Sequence, residues 1–125
     1  MIHYKVYLYP YDWEVELYIV VTDCYINLII NNLKDSSQSE MQKMFLNLST
    51  KIDSGFIKTL EHKSIIVINK PTTIENFVNI FNHEKNHLEM HICEEFNIDP
   101  YSEEAAVLSG NISKILFRSL MNELL

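Results

Sequence analysis

A chain of 125 residues with a formal charge of −7 has room for one compact domain and a real core, but is short for two. The acidic balance, with no Lys/Arg cluster anywhere, excludes a nucleic-acid footprint. No run reaches the roughly 18 apolar residues of a membrane span.

Residues 3–9 (HYKVYLY) and 14–21 (EVELYIVV) are rich in β-branched and aromatic residues, with Pro10-Tyr11-Asp12-Trp13 between them; they predict two strands in a hairpin. Residues 23–34 fit a short helix capped by Asp23, although Tyr25, Ile26, Ile29 and Ile30 also suit a strand. Asp35 to Gln38 reads as a loop, and residues 40–47 as a further helical turn or two. Residues 55–60 and 64–69 predict a second hairpin across Glu61-His62-Lys63. Pro71 ends that strand, and Thr72-Thr73-Ile74-Glu75 forms a capping box that starts a helix running to about Asn97. Its apolar stripe is Ile74, Phe77, Val78, Phe81, Leu88 and Ile92. Asp99-Pro100 supplies the cap and first residue of a second helix from Tyr101 to near the C-terminus.

The pattern describes an α+β fold in a single domain, 1–125: mainly strands with one or two short helices over 1–70, one helix over 71–98 and another over 100–124. Two cysteines, Cys24 and Cys93, lie outside any C-x-x-C pair and read as reduced, buried thiols of an intracellular protein. The N-terminal stretch lacks a basic region followed by an apolar one, so no signal peptide is expected and the chain is read as cytoplasmic.

Chemistry enters with His83-Glu84-Lys85-Asn86-His87, an H-E-x-x-H motif in the first long helix. Positions four apart share a helix face, so both imidazoles can reach one metal ion with Glu84 beside its open position. His83 and His87 are flanked by Ile80 and Met90, about a third of a turn from the stripe's centre, and are expected to face the second helix. That helix carries Glu103 and Glu104 in its opening turn. An antiparallel fold-back can bring this turn toward the histidines. Glu103 shares its face with Ala106, Val107 and Gly110, small enough for close backbone approach. It is the first choice for a third ligand and Glu104 the second.

HEKNH followed by SEEAAVLSG resembles small zincin-like proteins of bacteriophages and prophages, in which H-E-x-x-H precedes a segment of the form E-A-x-A-Y-L-x-G. Matching Leu108 and Gly110 places Glu103 on that segment's glutamate and Ala106 on its second alanine, over residues 82–112. The chain departs at Glu104, where alanine is expected, and at Val107, where an aromatic is usual. The resemblance implies a zincin-like fold, a small antiparallel or mixed sheet packed on the H-E-x-x-H helix and a C-terminal helix. It also implies a glutamate-type zinc metallopeptidase cleaving a peptide or protein substrate. One zinc per chain would be held by His83, His87 and Glu103, with Glu84 as general base; iron or manganese suits the same ligands. Tyr101 and His91 are nearby in sequence as candidate donors for an oxyanion, and neither is chosen. His91, about 12 Å along the helix from His83, reads first as a surface or supporting histidine. Glu89, Glu94 and Glu95 read as a solvated face, and His3 and His62 as unconnected to the site. The alternative is a catalytically inactive zincin-like module that binds a protein partner, with a structural metal or none.

Overall fold

The computed structural model of the protein describes residues 2–20 and 51–124. The elements expected over 23–34, 35–38 and 40–47, and Cys24, lie outside the described residues. Both expected hairpins are present. Strand β1 (Ile2–Leu8) pairs antiparallel with β2 (Trp13–Val20), and β3 (Ser54–Leu60) with β4 (Lys63–Asn69). Trp13 belongs to the strand rather than the turn, and so does Lys63. Glu61 and His62 alone turn the second hairpin, both with positive φ (48° and 61°), the backbone that matches the right-handed twist of two strands joined by two residues. The hairpins meet along a parallel β2–β4 pairing, giving the mixed order β1-β2-β4-β3. β3 is therefore an edge among the described strands.

Helices α1 (Ile74–Glu95) and α2 (Glu103–Leu124) cover one face of this sheet, α1 over β3 and β4 and α2 over β1. Tyr4, Val6, Leu8, Val15, Leu17, Ile19, Ile66 and Ile68 from the sheet enclose a core with Phe81, Leu88, Ile92, Leu108, Ile112 and Leu116. The Tyr4 hydroxyl donates to the Leu116 carbonyl, tying the first strand to the last helix. Among the described residues no helix is long and apolar enough to cross a membrane.

The helix caps correct the sequence reading. Thr73, not Thr72, caps α1, its hydroxyl accepting from Asn76 N at 3.0 Å. Thr72 instead donates its N–H and hydroxyl to the Asp53 carboxylate, so the expected capping box does not form. At the other end, Ile98 N bonds to Cys93 O and Asn97 N to Glu94 O. With Asn97 left-handed at φ 53°, this is a Schellman ending, and it stops the helix at Glu95. Ser102, not Asp99, caps α2 by accepting from Ala105 N, while Asp99 accepts from Tyr101 N.

The apolar stripe of α1 is buried at Phe81, Leu88 and Ile92 as expected, but it differs at its first turns and its edges. Ile74 is 80 % exposed and Val78 38 %, whereas Ile80 and Glu84 are buried. Gly55 on β3 makes the room that Ile80 and Glu84 occupy. A Cβ there would stand 2.7 Å from Ile80 Cγ2, 2.8 Å from the Val67 carbonyl oxygen and 3.4 Å from Glu84 Cγ, so the missing side chain lets this side of α1 seat against the strand. Gly55→Ala should therefore cost about 1–3 kcal/mol by overpacking. Urea unfolding checks this, and an unchanged midpoint would mean that β3 yields freely.

Candidate metal-binding face on the first helix

The contact of Ile80 and Glu84 with β3 also places the histidines. α1 turns Lys85, Glu89 and Cys93 toward α2. Lys85 Nζ bonds Glu89 Oε1, which also accepts from Ser109 Oγ at 2.9 Å. Residues 83, 87 and 91 lie two positions from these, about half a turn away. They face the β3 side and solvent, not the second helix as the sequence reading expected. Glu89 is correspondingly no part of a solvated face, while Glu94 and Glu95 are exposed. The signal for Lys85 and Glu89 was in the sequence as an i, i+4 pair of opposite charge.

The two motif histidines converge. Their Nε2 atoms are 3.3 Å apart, with ring centroids 4.8 Å apart and planes at 77°. His83 is well exposed and His87 half-buried. Glu84 is buried against Gly55 and brings Oε1 to 3.9 Å from His83 Nε2. Burial pushes its carboxyl above the ordinary range, and the two imidazoles oppose that rise.

His91 continues the row, its ring centroid 6.5 Å from that of His87. Its Nδ1 is 2.7 Å from Thr59 Oγ1 on β3, and burial, helped by His87, holds its pKa below the usual histidine value. Thr59 meets Ser64 at 2.7 Å, and Ser64 accepts from Trp13 Nε1 at 2.9 Å. Sequence reasoning missed Thr59, Ser64 and Trp13; the cross-strand pairing of Thr59 with Ser64 follows only once the turn is fixed at two residues. An open cleft of about 610 Å³ includes His91, Thr59, Trp13, His62 and Glu95 in its walls. His62 stacks on Trp13 and bonds Glu95, whereas His3 stacks on Tyr18.

The two glutamates of α2 are elsewhere. Phe81 packs on Phe117, and Glu89 meets Ser109, so eight residues forward on α1 match eight residues back on α2. This antiparallel register sets Glu103 level with Glu95, about 12 Å of helix rise from His87. Glu103 is exposed, and its face opens outward: Val107 is 54 % exposed, and a Cβ on Gly110 would meet nothing within 4 Å. The close backbone approach expected there does not occur. Glu104, also exposed, lies near Tyr11 and Cys93, whose pKa values burial raises first and its charge raises further. Tyr101 is 96 % exposed. Among the described residues, no third His, Cys, Asp or Glu joins His83 and His87 in a group suited to hold a metal ion.

Two ring nitrogens 3.3 Å apart share a proton in a hydrogen bond, and two nitrogens so spaced, with a buried carboxylate beside them, can also share a cation and offer a base next to it. Comparison of the chain with family models, curated proteins and solved structures finds no match.

Proposed function

We propose that the protein is a metal-dependent hydrolase of the zincin-like kind, with zinc held by His83 and His87 and a peptide or protein as substrate. The observation that carries this reading is the 3.3 Å separation of the two Nε2 atoms. Two nitrogens bound tetrahedrally at about 2.0–2.1 Å from zinc stand about 3.3–3.4 Å apart. The pair thus fits two corners of a zinc site. Zinc bound there would supply a Lewis acid and activate water for attack.

Glu84 is the base. Its carboxylate, buried and beside the histidines, accepts the proton of the attacking water and returns it to the leaving amine. Gly55 keeps that carboxylate in place by admitting α1 to the strand. β3, at the edge of the described strands beside the histidine row, suits an extended substrate that adds as a further strand. Glu103 remains the third ligand proposed from the sequence, with Glu104 behind it. Completing the site this way would draw the first turn of α2 toward His87.

The distance of Glu103 favours a second reading, a non-catalytic binding module of phage or prophage origin with a structural metal or none. Metal content separates the two. Purified tag-free protein should hold about one zinc per chain, and His87→Ala should abolish it. Equal loss in Glu103→Ala would show that α2 rearranges, and retention would assign the third position to another group. No metal after reconstitution with zinc would leave the binding module.

A further inference from the structure

The hydrogen bonds around His91 have a direction. Trp13 Nε1 can only donate, so Ser64 Oγ accepts at 2.9 Å. Ser64 is 0 % exposed and must spend its own proton inside the protein. Its remaining partner among the described residues is Thr59 Oγ1 at 2.7 Å. Thr59 then passes its proton to the next group in line, His91 Nδ1, also at 2.7 Å. A neutral imidazole that accepts at Nδ1 carries its proton on Nε2. Burial favours the neutral ring, as the direction of its shift also indicates.

We propose that the relay Trp13→Ser64→Thr59→His91 fixes His91 as the Nε2–H tautomer, making that N–H a standing donor for the carbonyl oxygen of a substrate at the His83–His87 face. This rests on the hydrolase reading for its purpose, though not for its chemistry. The ring stands one turn beyond His87 on the same row, in the wall of a cleft lined by Ile57 to His62 and by Glu94 and Glu95, to which His83 and His87 do not contribute. Its orientation is set before substrate arrives, because Nδ1 is anchored to a strand rather than to solvent. A preoriented donor of this kind strengthens as negative charge grows on the carbonyl oxygen. Trp13, Ser64 and Thr59 are positioning residues, acting on the substrate only through His91.

The test is long-range ¹H–¹⁵N correlation on the ¹⁵N-labelled, metal-free full-length protein near pH 7.5, which identifies the protonated nitrogen of each histidine. The wild type should show His91 as Nε2–H. Thr59→Val and Ser64→Ala should both shift it toward a mixture of tautomers, and Thr59→Ser should restore it. With zinc and a fluorescein-labelled unfolded protein as substrate, His91→Ala should lower kcat about a hundredfold and Thr59→Val about tenfold, with zinc content and KM little changed. An Nδ1–H signal for His91 in the wild type overturns the relay itself. A correct tautomer with turnover unaffected by His91→Ala overturns the donor role. A correct tautomer in a zinc-loaded protein without turnover overturns the hydrolase reading and the donor's purpose, and leaves the relay standing.

Discussion

Glu84→Gln is expected to lower kcat by about 10²–10⁴ while zinc content stays at the wild-type level. The amide has nearly the same shape and keeps the packing against Gly55 and Ile80, but it cannot take a proton. The same substitution should act on stability in the opposite direction. Burial raises the carboxyl's folded pKa, so the folded state binds more protons than the unfolded one between the two values. Stability therefore falls as pH rises from the unfolded value, near 4.3, through the folded one, and the penalty persists above. Metal-free Glu84→Gln should then melt above the wild type near neutral pH, the gain vanishing below about pH 4, where both side chains are uncharged. Thermal melts at the two pH values check the sign. Lower stability of the variant near neutral pH would mean that Glu84 serves the fold, as a member of a structural network, rather than a reaction.

Lys85→Ala is expected to cost about 3 kcal/mol in urea unfolding. Its ammonium, with a side chain 9 % exposed, bonds a Glu89 carboxylate 16 % exposed, and Ser109 completes that carboxylate from the other helix. Removing the cation leaves Glu89 charged and confined between two helices, held by one neutral donor. The penalty is thus the cost of a stranded charge more than the worth of the pair. The double variant Lys85→Met with Glu89→Leu should recover to within about 1 kcal/mol of the wild type, because apolar side chains of similar volume fill the same space. A single-variant loss under about 1 kcal/mol would mean that water reaches Glu89 readily.

The contrast between these residues shows what the sequence could and could not carry. The first hairpin was legible because β1 alternates, with Tyr4, Val6 and Leu8 buried and His3, Lys5 and Tyr7 not. The convergence of His83 and His87 was legible because a four-residue step on a helix fixes it locally. Which side of α1 meets β3 and which meets α2 was not, since that depends on a glycine on a strand that the helix meets only in three dimensions. The placement of Glu103 failed for a related reason. In an antiparallel pair with a short connection, the first turn of the second helix lies beside the last turn of the first. A residue level with His87 must therefore come eight positions after Glu103, where this chain has Asn111. Helical periodicity reports the face of a residue but says nothing of its height. The caps moved by one to three residues because Thr72 and Asp99, both good acceptors, were claimed by other partners.

The parallel seam between β2 and β4 has a consequence for how the molecule assembles. Leu8 and Trp13, or Leu60 and Lys63, are neighbours along the chain, and each hairpin can close alone. Every pair across the seam, from Glu14↔Lys63 to Val20↔Asn69, spans 49 residues. Closing that span costs about 2 kcal/mol more than closing either turn, and it must be met before the core between sheet and helices can form. Docking of the two hairpins is thus the expected slow step. Substitutions in the seam, such as Leu17→Ala or Ile66→Ala, should slow refolding, and so should those that destabilise the β1–β2 turn, because that hairpin closes before the two dock.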